Sequence, residues 1–263
     1  MPTELYTRTL GDRGSKVVLC HGLFGQGRNW TQVAKALATD HRVVLVDLPD
    51  HGRSPWTERF DYVGAADQVQ RLLGDEAAAL VGHSMGGKVA MIAALAHPLS
   101  VERLCVVDVA PVVYAHGSEF ERFVAAMREL DLASLNSRAE ADAALSSSVP
   151  DPAVRAFLLQ NLRREGETWS WQINLDVLGD DLAAITGWPA DAVAHLDPYP
   201  GPVLWVAGER SNYVSDDHAA TMEGLFPRVR RVTVKGAGHW VHSERPAVVV
   251  ELLRRFLAGA SAN

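Results

Sequence analysis

The deciding stretch of this sequence is Ala79-Leu80-Val81-Gly82-His83-Ser84-Met85-Gly86-Gly87. An apolar run that predicts a β-strand is followed by Gly-x-Ser-x-Gly and then by a helix-forming run. A turn this sharp holds Ser84 in a strained backbone conformation and pushes its hydroxyl out of the sheet. We expect Gly82 and Gly86 to be required, because a Cβ at either position would collide with the neighbouring chain. The pattern predicts a nucleophile at Ser84, although a glycine-rich turn without chemistry also fits it.

The rest of the chain alternates short apolar runs with longer amphipathic stretches. Continuous apolar strands separated by helices are typical of a parallel sheet that is covered on both faces. The predicted strands are 17–20, 42–47, 79–82, 103–109, 203–207 and 229–234. The predicted helices are 30–38, 62–73, 85–96, 216–225 and 246–257. The predicted fold class is therefore α/β, with a mostly parallel, doubly wound sheet.

Residues 111–199 interrupt this alternation. They contain helical patterns at 119–130, 138–145 and 152–164 but no convincing strand. An insertion after the carboxyl end of a strand lies over the cleft where open α/β sheets bind ligands. We therefore predict a core made of 1–110 and 200–263, with an inserted helical cap at 111–199.

Composition argues against several classes of function. The chain of 263 residues has a formal net charge of −7 and no run of Lys or Arg, so we expect no nucleic-acid partner. It has no apolar stretch of about 18 residues and no apolar signal segment, so we expect no membrane association and a cytoplasmic location. We also expect no cofactor, no metal, and a monomer or small homo-oligomer.

Backbone N–H groups around Ser84 are candidates for stabilising negative charge. The run 17–25, VVLCHGLFG, is interpreted as a strand that ends in a glycine-flanked loop, whose N–H groups face the nucleophile. Met85 begins the helix after Ser84, so its N–H group and the positive end of the helix dipole would lie near a developing oxyanion.

These segments, together with DLPDHGRS at 47–54, resemble the α/β-hydrolase superfamily over nearly the whole chain. The runs HGLFG at 21–25, GHSMGGK at 82–88 and DVAPVVY at 108–114 are similar to a bacterial acyl esterase family that hydrolyses short esters and acyl-CoA thioesters. Mitochondrial abhydrolase-domain proteins look similar. The resemblance implies that the Leu23 N–H group is the second oxyanion donor beside Met85, with Phe24 as the fallback.

The candidate general base is His239, one of ten histidines. It follows the last predicted strand on a glycine-bearing loop and completes the order Ser, acid, His that the turn around Ser84 leads us to expect. A neutral imidazole can take the Ser84 proton and return it to the leaving group. We expect His242 to be a surface or supporting residue and His83 to point sideways. A loop histidine without a catalytic role is the alternative for His239.

The acid departs from the common pattern of the superfamily. Most relatives carry it three residues beyond a glycine after the strand that follows the cap, and Ser211 occupies that position here. Asp108, which ends the strand beside the nucleophile strand, could reach the imidazole instead, and the DxAP context of the similar family has its acid there. We predict Asp108, with Glu209 and Asp216 as alternatives; capping a cap helix is its non-catalytic role.

Aromatic residues of the cap, among them Trp171, are expected to pack mainly against the sheet, while some line the substrate pocket together with Phe24. An apolar pocket favours neutral acyl groups, although Lys88, Arg163 and Arg164 leave an anionic substrate open. The predicted activity is hydrolysis of small carboxylic esters or thioesters through an acyl-enzyme. The alternatives are a carbon–carbon hydrolase or lyase on the same scaffold, and a ligand receptor without catalysis.

Overall fold

The central element of the molecule is a seven-stranded sheet, seen in a computed structural model that describes residues 4–74, 76–114 and 118–259. A separate two-stranded sheet lies in the segment predicted as a cap. In chain order the strands are β1 (Thr7–Leu10), β2 (Lys16–Cys20), β3 (Arg42–Val46), β4 (Ala78–His83), β5 (Val101–Val107), β6 (Leu162–Glu165), β7 (Thr168–Trp171), β8 (Val203–Gly208) and β9 (Val229–Val234).

The order of strands across the large sheet is β1-β3-β2-β4-β5-β8-β9. All neighbours in it are parallel except β1, which pairs antiparallel with β3. The predicted mostly parallel sheet is confirmed. The sequence did not predict β1, because an edge strand of sequence TRTL has no continuous apolar run.

Helices cover both faces of the sheet. They are α1 (Thr31–Leu37), α2 (Tyr62–Leu73), α3 (Met85–Ala96), α4 (Ser118–Arg128), α5 (Arg138–Leu145), α6 (Pro152–Leu159), α7 (Leu175–Asp180), α8 (Leu182–Thr186), α9 (Ala190–Val193), α10 (Ala219–Leu225), α11 (Val241–Glu244) and α12 (Pro246–Leu257). The apolar sides of α1 and α12 belong to one core and those of α2 and α3 to the other. Among the residues described, no helix is long and apolar enough to cross a membrane.

The expectation that residues 111–199 contain no strand is wrong. The predicted helix at 152–164 ends at Leu159, and β6 then pairs with β7 in an antiparallel hairpin. Leu-Arg-Arg-Glu suits a helix by propensity. The chain turns instead at Gly166, whose φ of +62° is a conformation that glycine adopts without strain.

The carboxyl edge of the sheet brings the ends of β4 and β5 together. His83 pairs with Val107 at the last position of the ladder, so Ser84 and Asp108 follow directly on neighbouring strands. The next strand, β8, ends at Gly208, beside the same edge. The loop after β9, which carries His239, reaches this edge as well, because a Cβ on Gly208 would overlap the carbonyl of Gly238.

Candidate active site

The turn from β4 to α3 holds Ser84 in a left-handed conformation, with φ +52° and ψ −123°. The N–H group of Ser84 donates to the carbonyl of Val107 at 3.0 Å, which fixes the turn to the neighbouring strand. A Cβ on Gly82 would overlap the carbonyl of Gly86, and a Cβ on Gly86 would overlap the carbonyl of His21. The predicted need for both glycines is confirmed.

The close packing around Gly86 can be tested by substitution. Gly86→Ala is expected to lower the free energy of unfolding by about 3 kcal/mol, the upper range for overpacking a buried site, and to reduce the yield of folded protein. Gly224→Ala is the matched control, because Gly224 lies in an exposed turn of α10 with nothing within 4 Å of its added Cβ. That change should stabilise the protein by roughly 0.5–1 kcal/mol. Denaturant unfolding measures both, and equal effects would contradict the packing described.

Asp108 contacts the imidazole of His239. Its Oδ2 lies 2.7 Å from His239 Nδ1, and its Oδ1 accepts the N–H group of Gly208 at 2.8 Å. The carboxylate is wholly buried, and the φ of Asp108 is +54°, a left-handed conformation that Asp tolerates better than most residues. Because a carboxylate only accepts, Nδ1 carries the proton of a neutral ring, and Nε2 is left with a free lone pair.

Ser211 explains the departure from the common pattern. Its hydroxyl donates to the same Oδ2 of Asp108 that contacts His239. The position where most relatives carry their acid therefore adjoins the Asp108 carboxylate. Glu209 lies elsewhere, because its carboxylate accepts the N–H group of Gly236 at 2.8 Å. Asp216 pairs with Arg231 at 2.6 Å.

Two further rings hold His239 in place. Tyr213 stacks on its imidazole, with ring centroids 4.1 Å apart, and His83 Nε2 donates to its backbone carbonyl at 2.9 Å. The sequence predicted a sideways His83 but gave no signal for this contact. His242 was expected to be a surface or supporting residue. Its side chain is buried and stacks on Trp30, with ring centroids 4.1 Å apart, so the surface alternative is wrong.

The loop after β2 supplies backbone N–H groups beside Ser84. Leu23, Phe24 and Ser84 line one cavity, and Leu23, Ser84 and Met85 line a second. Within the described ranges no acceptor contacts the N–H groups of Leu23 and Met85. The N–H group of Phe24 donates to His51 Nε2 at 3.2 Å. The fallback donor Phe24 is thus engaged elsewhere.

Four histidines near the site are buried: His21, His51, His83 and His242. Burial lowers the pKa of His21 to about 4, and that of His51 and His242 to about 3. Burial likewise holds the pKa of His83 well below its ordinary value. His21 Nδ1 donates to the Gly22 carbonyl, and its Nε2 accepts from the N–H group of Leu48, which requires a neutral ring. All four rings are neutral at pH 7.

Stability should therefore fall with acidity. The unfolded histidines protonate near pH 6.5 and the folded ones only near pH 3 to 4, so the unfolded state binds more protons in between. Each histidine then removes up to about 1.4 kcal/mol per pH unit as the pH falls below 6.5. Denaturant unfolding between pH 5 and 7 measures the slope. His242→Gln should lower this slope by about one proton; a slope equal to that of the wild type would contradict this.

Two cavities meet at Ser84. One is also lined by His239 and is walled mainly by apolar side chains, among them Phe24, Phe120, Phe123, Phe157 and Trp240. The other extends along Met85 and Val109 to Tyr114, Ile185 and Tyr213. Side chains from residues 111–199 thus cover the nucleophile.

Several expected pocket residues have other contacts. Trp171 lines neither cavity and packs instead against the core, because it lies in β7. Lys88 lines the second cavity, but its ammonium donates to the carbonyls of Val112, Thr186 and Gly187. Those acceptors use all three of its protons, so it has none left for an anionic substrate. Arg163 faces a different pocket, beside Tyr6 and Arg8.

A serine on a strained strand-to-helix turn, with a carboxylate and an imidazole at the same sheet edge, defines a hydrolase of the α/β class. Residues 16–246 match the family described as alpha/beta hydrolase fold, and the chain belongs to that family. The similarity to bacterial esterases and abhydrolase-domain proteins predicted from the motifs is confirmed, and the chain is an enzyme of the esterase and lipase class.

Three relatives illustrate that similarity. The mouse protein named sn-1-specific diacylglycerol lipase ABHD11 is 41% identical over 251 residues, covering 92% of this chain and 80% of its own. Esterase YbfF of Escherichia coli is 32% identical over 246 residues, covering 92% and 93%. The solved structure of a marine microorganism esterase superimposes with a TM-score of 0.92 at 32% identity, covering 97% of this chain and 99% of that one.

Proposed function

We propose that this enzyme cleaves small carboxylic esters through an acyl-enzyme on Ser84, with His239 as general base and Asp108 as the acid that orients it. The observation that carries the proposal is the contact of 2.7 Å between Asp108 Oδ2 and His239 Nδ1, with His239 and Ser84 on one cavity. This contact leaves Nε2 as the proton acceptor. Ser84 is the nucleophile that the turn presents to it.

The proposed reaction has two steps, acylation of Ser84 and hydrolysis of the acyl-enzyme. In the first, Ser84 Oγ bonds to the ester carbonyl carbon while its proton moves to His239 Nε2, and the alcohol then leaves with that proton. In the second, water gives a proton to His239 and attacks the acyl group, and the acid leaves as Ser84 regains its proton. The N–H groups of Leu23 and Met85 stabilise the negative oxygen in both steps, each contributing about 3 kcal/mol.

The substrate class follows from the walls of the two cavities. They are largely aromatic and aliphatic, and the ammonium of Lys88 is saturated by carbonyls, so neutral acyl groups are favoured over anionic ones. Thioesters are included, because the same acyl-enzyme serves both. Diacylglycerol, named for the mouse relative, is an ester of this general kind. A cytoplasmic location without nucleic-acid or membrane partners remains our prediction from composition.

A panel of substrates tests the proposal. In a panel of acetyl, butyryl, octanoyl and palmitoyl p-nitrophenyl esters and the corresponding acyl-CoA thioesters, the short-chain members should be hydrolysed, and a fluorophosphonate should label Ser84 and stop all turnover. Labelling without hydrolysis of any ester or thioester would contradict the proposal and favour a receptor or a carbon–carbon hydrolase. Hydrolysis that survives complete labelling would exclude Ser84 as the nucleophile.

A further inference from the structure

Phe24, the residue after the proposed donor Leu23, has a backbone conformation that needs support. Its φ is +59°, in the left-handed region that a bulky side chain adopts only at an energetic cost. The residue is buried, with 1% of its surface exposed. Its conformation sets the direction of the peptide units on both sides, including the course of the loop at Leu23. The peptide unit on the amino side joins Leu23 to Phe24, so whatever holds Phe24 also restricts the backbone of Leu23, whose N–H group lies in the preceding peptide unit.

On the amino side, His51 holds Phe24. His51 Nδ1 donates to the carbonyl of Pro49 at 2.8 Å, so its Nε2 is a bare acceptor, and it receives the N–H group of Phe24 at 3.2 Å. The ring is completely buried, and burial lowers its pKa to about 3. It therefore stays a neutral acceptor at neutral pH. A protonated ring would present a donor to a donor.

On the carboxyl side, the support comes from the cap. Asn161 lies between α6 and β6 and is fully buried, and its Nδ2 donates to the Phe24 carbonyl at 2.8 Å. Its Oδ1 accepts from Gln26 Nε2 at 2.7 Å, so the amide contacts the loop at two points. The Phe24 carbonyl can only accept, and this fixes which end of the Asn161 amide faces it. Gln160 Nε2 adds a longer contact of 3.2 Å to the same carbonyl.

We propose that Asn161 is a positioning residue which, together with His51, holds Phe24 in its left-handed conformation and so aims the Leu23 N–H group at the oxyanion. The inference rests on the proposed function. Its consequence is that residues 111–199 do more than cover the cleft: one buried amide from the cap positions the loop that carries the oxyanion donor Leu23. Movement of the segment around Asn161 away from the core would lower kcat as well as open the cavity.

The test distinguishes a loss of oxyanion stabilisation from a loss of substrate binding. Asn161→Asp replaces the donor with an oxygen that faces the Phe24 carbonyl, and it is expected to lower kcat for p-nitrophenyl butyrate about 100-fold while KM changes less than about threefold. The affinity for a trifluoromethyl ketone, whose hemiketal on Ser84 carries an oxyanion, should fall by about the same factor as kcat/KM. Asn161→Ala should show smaller losses in both. The control Asn136→Asp changes an exposed cap amide and should alter neither.

Thermal unfolding of each variant identifies a folding defect. Should Asn161→Asp not fold, Gln26→Met replaces it, because this change frees the Asn161 Oδ1 and should lower kcat and ketone affinity together by about 3- to 10-fold. A folded Asn161 variant with normal kcat and ketone affinity would overturn the inference, as would a rise in KM alone. Failure of the wild-type enzyme to hydrolyse any ester would instead overturn the proposed function.

Discussion

Ser84→Ala is expected to reduce kcat for p-nitrophenyl butyrate about 10⁶-fold and to leave the melting temperature nearly unchanged. In the proposed mechanism the Ser84 hydroxyl oxygen bonds to the substrate, and no other side chain can take its place on the turn. The fold should survive, because the strain at Ser84 is in the backbone, with φ +52°, and Ala adopts that conformation at a similar cost. Initial rates and thermal unfolding of the same preparation measure the two quantities.

Ser146→Ala is a suitable control for this change. Ser146 is an exposed residue at the end of α5, and its hydroxyl donates to the carbonyl of Ala143 at 2.6 Å. We expect no change in its turnover. Loss of less than about tenfold in Ser84→Ala would mean that another group attacks the substrate.

Asp108→Asn is expected to lower kcat about 10⁴-fold. The amide lacks the charge that stabilises the imidazolium, and its NH₂ group can donate to Nδ1 and trap His239 in the wrong tautomer. The change is nearly isosteric, and the N–H group of Gly208 can still donate to the remaining oxygen, as it does to Oδ1 at 2.8 Å. Folding should be preserved. Turnover of p-nitrophenyl butyrate at saturating concentration measures the effect.

Glu209→Gln separates Asp108 from its nearest alternative. The Glu209 carboxylate contacts Gly236 rather than His239, so we expect near-normal turnover. Normal turnover in Asp108→Asn together with a large loss in Glu209→Gln would reverse the assignment of the acid.

Moving the carboxylate from position 108 to position 211 is expected to restore part of the activity that Asp108→Ser loses. The Ser211 hydroxyl donates to Asp108 Oδ2, so a carboxylate at 211 would occupy the neighbourhood of the present one. The double variant Asp108→Ser with Ser211→Asp is expected to be at least about 10-fold more active than Asp108→Ser alone, because the triad is defined by geometry rather than chain position. Equal activities would mean that a carboxylate at position 211 cannot replace the one at position 108.

Most of the sheet could be predicted because its strands are buried on both faces and are continuous apolar runs. The helices at Tyr62–Leu73 and Met85–Ala96 were predicted to the residue. β1 and the hairpin β6–β7 were missed for the opposite reason: their side chains are largely exposed, so pairing partners and a turn at Gly166 determine them. Local patterns carry no information about such partners.

The candidate site could be predicted as far as chain order and loop position determine it. Ser84 and Asp108 follow neighbouring strands, and the structure brings His239 to Asp108. The supporting contacts could not be predicted, because they join distant parts of the chain. His51 and Phe24 are 27 positions apart, and Asn161 and Phe24 are 137 apart. A polar residue at 161, between a helix and a hairpin, gives no local sign that it is fully buried.

Acyl transfer to Ser84 can be measured directly by quenching the enzyme with acid during turnover of p-nitrophenyl butyrate and mapping its peptides by mass spectrometry. We predict a mass increase of one butyryl group on the peptide that contains Ser84, present during turnover and absent after the substrate is consumed. Butyryl on a different residue, or a burst of p-nitrophenol with Ser84 unmodified at the same quench time, would contradict an acyl-enzyme at Ser84.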